Sequence, residues 1–111
     1  MAELYSIHVT EDAAEDLKQI RNYIADVLLA PAAARSLLRA LREEIGALST
    51  LPERFALVQD EPWHTRGLRR VPVKNFIIYY RVDHESRRVY ILNIIYSRRD
   101  QLRQLAQMHM E

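Results

Sequence analysis

Cysteine is absent from this chain of 111 residues, which excludes disulfides and thiolate-bound zinc and suits a reducing compartment. Glycine occurs twice, too few for a phosphate-cradling loop or a dinucleotide fingerprint. No apolar run approaches the roughly 20 residues of a membrane span, and the first residues carry no signal-peptide pattern. The expectation is a soluble, cytoplasmic protein with no membrane partner. An excess of either charge is also missing. Sixteen Lys and Arg stand against 15 Asp and Glu, a formal net of +1, so the whole molecule is not built to be drawn to nucleic acid. His8, His64, His84 and His109 lie far apart without ligand spacing, so neither a metal nor a cofactor is expected. No serine sits in a nucleophile elbow, and no local carboxylate pair suggests glycoside chemistry. What the chain does have is 49% hydrophobic residues, enough for one packed core in a single domain spanning 1–111.

The hydrophobic pattern changes period along the chain. Tyr5, Ile7 and Val9 alternate, predicting a strand over Tyr5–Val9. Thr10 then offers an N-cap hydroxyl, and Glu11 and Asp12 place negative charge in a first helical turn. Ala13, Leu17, Ile20, Ile24 and Val27 form one stripe of a helix over 12–29. Pro31 suits the first turn of a second helix over 31–50, whose apolar side carries Ala34, Leu37, Leu38, Leu41, Ile45 and Leu48. Arg35, Arg39 and Arg42 line another side of it. The short link predicts a helical hairpin.

From Pro52 to Gly67 no period holds. Three strands are then predicted within 68–96, with tight turns at Lys74-Asn75, where asparagine tolerates positive φ, and at Asp83–Ser86. Pro72 cannot donate to a ladder, so the first of these should be an edge strand or be bulged there. "YILNII" is apolar on both faces apart from Asn93 and reads as central. Leu102, Leu105 and Met108 suggest a short terminal helix. The order is β-α-α-β-β-β(-α), an α+β domain with a helical hairpin on one face of a mainly antiparallel sheet. Leu17, Ile20, Ile24, Leu37, Leu41, Ile45 and Leu48 should be buried with Ile91 and Ile95.

Basic side chains are the remaining source of chemistry. Metal-free RNA cleavage needs one group to deprotonate the 2′-hydroxyl, another to protonate the leaving oxygen, and arginines to stabilise the phosphorane. Strand parity puts Ile77, Tyr79 and Arg81 on one face and Phe76, Ile78, Tyr80 and Val82 on the other, and the arginine suggests that its set faces out. Arg69 and Arg70 point to opposite faces. Arg98 and Arg99 lie past the last strand, where Asp100 is placed to hold one of them by a charge-assisted hydrogen bond. The competing reading is a solvated strand end, balanced by Glu43, Glu44 and Asp100.

Taken together these stretches resemble a known family. "VTEDAAEDLKQIRNYI" looks like the first strand and helix of the RelE/ParE toxins, and "LREEIGALSTLPERF" like their second helix and following loop. "LRRVPVKNFIIYYRVD" and "VYILNIIYSRRDQLRQL" resemble the hairpin and closing strand with its terminal arginines. The resemblance runs from about Tyr5 to Leu105 as a diffuse pattern, not a catalytic signature. It implies the toxin of a type II toxin–antitoxin module of plasmid-stabilisation type, forming a hetero-oligomer with a cognate antitoxin that covers grooves on the hairpin and a sheet edge. RelE-like members are ribosome-dependent mRNA endoribonucleases; ParE-like members inhibit DNA gyrase without established catalytic residues. Of the RelE-type residues, Arg70 and Arg99 match, whereas Ile77 and Leu105 stand where an arginine and a tyrosine are expected. The long hairpin and the ending "IIYSRRDQLRQLAQ" look more ParE-like. The resulting reading is a gyrase inhibitor, not an enzyme, with Arg69, Arg98 and Arg99 as target-binding groups. The alternative is a metal-free endoribonuclease acting on mRNA at the ribosome through Arg70, Arg81, Arg99 and Tyr96. A third reading is an inactive relative that binds only its antitoxin.

Overall fold

The computed structural model describes residues 4–110; the expected domain limits at 1 and 111 lie outside the described residues. Strand β1 (Ser6–Val9) leads into helix α1 (Glu11–Asn22), which runs on through a π-helical turn, Tyr23–Val27. Helix α2 (Pro31–Ala47) folds back against both. After a short 3-10 turn at Pro52–Arg54 come β2 (Arg69–Val73), β3 (Phe76–Asp83), β4 (Arg88–Tyr96) and the short helix α3 (Gln101–Ala106). The sheet order is β1-β4-β3-β2, with β1 parallel to β4 and the other pairs antiparallel. The α+β order read from the sequence therefore holds. Pro72 is on an edge strand, and β4 is central.

Helix boundaries move for local reasons. Thr10 caps α1 as expected, its Oγ1 accepting from Ala13 N at 3.2 Å. The α-helical part stops at Asn22, short of the expected 29, because the Leu28 N–H reaches back five residues to Tyr23 O at 2.9 Å. That wider turn rotates later residues off the apolar stripe, so Val27, expected inside, is exposed. Leu29 then takes φ +54°, ending the helix with a backbone that a branched residue rarely adopts. Helix α2 begins at Pro31 and tightens at its end into i→i+3 bonds from Leu48 and Ser49, so it closes at Ala47 and not at 50. In the β2–β3 hairpin it is Lys74, at φ +56°, that takes the left-handed position expected of Asn75.

A β-bulge corrects the side-chain parity of β4. Tyr79 pairs with Asn93 but Tyr80 pairs with Ile91, leaving Leu92 as the extra residue. Ile91 and Ile95 would otherwise share a face. Instead Ile91 and Ile94 join Val71, Ile78, Tyr80 and Val89 against Leu41, Ile45 and Leu48 of α2. Ile95 goes to the opposite face with Ile77, Tyr79 and Leu92. That face was expected to be open around Arg81. It is a second core, roofed by Val58 and Leu68 of the irregular segment and by Leu105 of α3. Arg81 stays half-exposed at its margin, with its guanidinium 4.3 Å from the Tyr90 ring centre. On the hairpin side the Tyr80 hydroxyl donates to Pro52 O at 2.7 Å, and burial pushes its pKa up to about 12, so the phenol is neutral in the core.

Leu41 is fully buried at the centre of the hairpin-side core. Leu41→Ala should cost about 2–5 kcal/mol in denaturant unfolding, from lost transfer energy and the cavity left behind. A cost near zero would mean that the helical hairpin does not pack through this residue.

Candidate functional site

Strand β1 is shorter than the strand it pairs with. Its register covers only Arg88 to Ile91, so from Leu92 to Tyr96 strand β4 has no strand neighbour on that side. Side chains of α1 stand in for one. Thr10 Oγ1 donates to Ile91 O at 2.8 Å, and Thr10 N to the same carbonyl at 3.1 Å. One turn and a half further on, Asp16 Oδ2 accepts from Ile94 N at 2.9 Å and from Asn93 Nδ2 at 2.8 Å. Desolvation outweighs these bonds and raises the Asp16 pKa above the usual carboxylate range; the neighbouring charges of Asp12 and Glu15 add to the rise.

Beyond this clamp lies a cavity of about 1230 Å³ between the hairpin, the open edge of β4 and the end of the chain. Its apolar wall comes from Ile20, Ile24, Leu37 and Phe76, with Tyr23 and Tyr96 beside them. Asp12 and Asp16 supply acid, Lys74 and Arg99 supply base. His109 Nδ1 lies 3.1 Å from Asp12 Oδ2, which draws the chain end across the mouth. Asn93 Oδ1 is buried with no hydrogen-bond partner. A buried acceptor in this state favours a ligand that brings a donor, such as a peptide N–H.

Of the doubled arginine, Arg99 sits on the rim of this cavity, and both residues lie on a turn with a well-tied backbone. Ser97 N donates to Asn75 O at 2.8 Å and Arg99 N to Tyr96 O at 3.0 Å, while Gln101 Nε2 donates to the carbonyls of Tyr96 and Arg99, both at 2.9 Å. Asp100 does not hold either arginine. Its carboxylate caps α3 by accepting from Arg103 N at 3.3 Å, which leaves the exposed Arg98 and Arg99 without an ion pair among the described residues.

The remaining candidates scatter. Arg69 is committed to the fold. It donates to the carbonyls of Phe55 (2.6 Å) and Glu53 (3.2 Å) and pairs with the Glu53 carboxylate at 3.2 Å. Arg70 and Arg81 share the face of the second core, since Arg70 pairs with Tyr79, two residues from Arg81. Tyr96 pairs with Phe76 and packs on its ring at 5.6 Å, on the hairpin side and at the other end of β3. The five residue steps from Phe76 to Arg81 span roughly 17 Å. Arg81 is thus separated from Tyr96, and from Arg99 beyond it, both along the sheet and across it, while Arg70, level with Tyr79 in mid-strand, is separated across it. Asp16 lines the cavity without having been singled out for a role in the sequence, and Lys74, one of the basic side chains available for RNA cleavage, lines it too; the lone polar residue Asn93 in an apolar strand was the visible signal for this site. No group of three or more metal-ligating side chains forms among the described residues.

The fold defines a small α+β domain with a helical hairpin on a four-stranded sheet and this cavity between them. Residues 7–101 match the family described as the ParE toxin of the type II toxin-antitoxin system parDE, and the chain belongs to that family. Among solved structures, the chromosomal ParDE system of Pseudomonas aeruginosa contains a chain similar to this one at TM-score 0.69. The two are 24% identical, over 86% of this chain and 98% of the other. The RelBE2 toxin–antitoxin complex of Mycobacterium tuberculosis follows at TM-score 0.63, with 23% identity over 84% and 98% of the two chains. A variant of the E. coli toxin RelE in the free state is similar in fold at TM-score 0.60, with 10% identity over 94% and 93%. No protein of curated function matches the sequence.

The Asp16 clamp is testable through its acceptor and its charge. Asp16→Asn keeps an oxygen for Asn93 Nδ2 and Ile94 N, and should leave stability at pH 7 unchanged or higher. Asp16→Ala strands both donors and should cost about 1–3 kcal/mol. Because the folded-state pKa is raised, the folded protein binds this proton more tightly than the unfolded chain. Its contribution is therefore fully present below the unfolded value and is lost as pH rises through the folded one. Denaturation between pH 4 and 7 should show that component in the wild type and not in Asp16→Asn; an identical pH profile in both would rule out a raised pKa at Asp16.

Proposed function

We propose that this ParE-family toxin arrests growth by binding DNA gyrase and inhibiting it, without catalysing a reaction of its own. The observation that carries this reading is the separation of Arg70 and Arg81 from Tyr96 and Arg99. General acid–base cleavage of RNA needs its groups within hydrogen-bond reach of one phosphodiester. Arg70 and Arg81 on one face of the sheet, with Tyr96 on the other, do not meet that requirement. Recognition needs less. Arg98 and Arg99, free of internal carboxylates and carried on a tied turn, are preorganised cations for an acidic or phosphate-bearing partner surface.

A cognate antitoxin completes the proposed module. The open edge of β4, the unpartnered Asn93 Oδ1 and the apolar wall above them favour a segment that adds backbone N–H groups to the strand and buries apolar side chains against the hairpin. Amide hydrogen exchange of the complex should show protection at residues 92–96 and in α1. Equal exchange in the free toxin and in the complex at both places would remove this contact surface.

The target is tested with purified toxin in two assays, gyrase supercoiling and ribosome-dependent cleavage of a defined mRNA. Inhibited supercoiling with intact mRNA is expected. Arg98→Ala and Arg99→Ala should each weaken inhibition by a few-fold to about tenfold, with partial recovery by lysine unless bidentate geometry is needed. Cleaved mRNA with normal supercoiling would instead favour the endoribonuclease, and a loss of about 10²–10³ in rate for Arg99→Ala would then assign it to charge stabilisation. A folded double alanine variant with full toxicity would leave the doubled arginine a solvated strand end.

A further inference from the structure

At the end of the sheet away from the doubled arginine, four segments distant in sequence meet in one polar chain. The Tyr5 hydroxyl, just before β1, is 2.8 Å from Nδ1 of His84, in the turn between β3 and β4. His84 Nε2 lies 3.3 Å from Oε1 of Glu53, in the 3-10 turn after α2. Glu53 Oε2 in turn accepts from Arg69 Nη2, at the start of β2, at 3.2 Å. The order is phenol, imidazole, carboxylate, guanidinium. None of the four residues lines the cleft.

The backbone under each member is tied. Tyr5 N donates to Ser49 O at 2.8 Å and Ser6 N to Arg87 O at 2.9 Å, which fixes the tyrosine beside the turn. The Asp83 carboxylate accepts from Glu85 N at 3.1 Å and from Ser86 N at 3.3 Å, shaping the turn that carries His84. Arg69, its side chain only 16% exposed, is held by the carbonyls of Glu53 and Phe55 and anchors the carboxylate from within. The His84 and Glu53 side chains are 51% and 55% exposed, so the imidazole is open to a small molecule from solvent. Ion pairs as open as this contribute little to stability, so holding the fold together is a weak reason for the arrangement.

The chemistry follows from where the protons sit. A carboxylate only accepts, so Glu53 favours the neutral histidine with its proton on Nε2. Nδ1 is then an acceptor, and the Tyr5 O–H donates to it. A hydroxyl facing a base, with that base oriented by a third group, is the arrangement that activates a nucleophile. We propose that Tyr5 is a covalent modification site that accepts an acyl group from an activated acyl donor, a thioester or an aryl ester. Tyr5 Oη attacks the carbonyl carbon while His84 Nδ1 takes the phenol proton. The tetrahedral adduct then expels a thiolate or phenolate, which takes that proton back from His84. An ester on Tyr5 and a free thiol or phenol result, and His84 is neutral again. Glu53 is a positioning residue. This inference stands apart from the gyrase reading and uses neither Arg98 nor Arg99.

The test treats the full chain with p-nitrophenyl acetate at neutral pH and follows acetylation of each tyrosine by peptide mass spectrometry. Tyr23 is the internal reference, since it is 51% exposed and its hydroxyl has no partner among the described residues. The half-buried Tyr5 should nevertheless react about tenfold or more faster than Tyr23. His84→Ala should bring Tyr5 down to the rate of Tyr23 or below it. Glu53→Ala should slow Tyr5 several-fold, with partial recovery in Glu53→Asp, while Tyr23 stays constant in every variant. His84→Gln keeps a hydrogen-bonding side chain but no base; it should be equally slow, and it serves if the alanine variant does not fold. Tyr5 reacting no faster than Tyr23 would overturn the proposal. So would an unchanged ratio of the two in the His84 variants, or an acetyl group carried by His84 and not by Tyr5.

Discussion

The structure depends on how α1 holds β4 at its bulge. Leu92 is the extra residue in that strand, and Thr10 and Asp16 of α1 bind the backbone at Ile91 and Ile94 on either side of it. The bulge lets one central strand feed two cores, Ile91 and Ile94 toward the hairpin and Leu92 and Ile95 toward the second roof. A bulged strand with a bare edge would leave polar backbone groups unanswered near an apolar interior, which is costly. A threonine hydroxyl and a carboxylate answer them with side chains, so no further strand is needed there.

The same arrangement creates the cleft. A first strand long enough to follow β4 to Tyr96 would satisfy the edge and fill the space now bordered by Asp16, Asn93 and Arg99. Instead the edge is half-satisfied: Ile94 N has its acceptor and Asn93 Oδ1 has no donor. The cleft has apolar walls, convergent polar groups and a cationic rim. The helical hairpin builds the core and the cleft with its inner side, and carries Arg35, Arg39 and Arg42 beside Ala34 and Leu38 on another.

Much of the fold was legible because one-sided burial writes a period into the chain. Thr10, Pro31, Pro72 and the apolar stripe of α2 each marked an element or its boundary by a local cause. The errors share a different cause. Neither the π turn after Asn22 nor the bulge at Leu92 changes the composition of its segment, yet each shifts the phase of every side chain that follows. Val27 and Ile95 were misplaced for that reason. The second core was hidden because its roof comes from the aperiodic stretch before Gly67 and from a six-residue helix, α3. Among the site candidates, residue type was a poor guide to role. Arg69 and Arg98 are both arginines at strand ends, but Arg69 is spent on Phe55 and Glu53 and Arg98 forms no ion pair among the described residues. Asn93 was visible as a polar interruption, but only the register reveals that it lies where β1 has already ended.

The parallel pairing of β1 with β4 also bears on when the protein becomes a folded object. Ser6 needs Arg88, and Val9 needs Ile91, so the first strand has no place in the sheet until almost the last has been made. Contacts of such long sequence separation close late and slowly. During synthesis the helical hairpin can form early from local contacts, while α1 waits with Thr10 and Asp16 facing no strand. The cleft and its arginine rim then come into being together, in one late step, as β4 emerges and is clamped. A growing chain of this protein therefore lacks the cleft for nearly the whole of its translation.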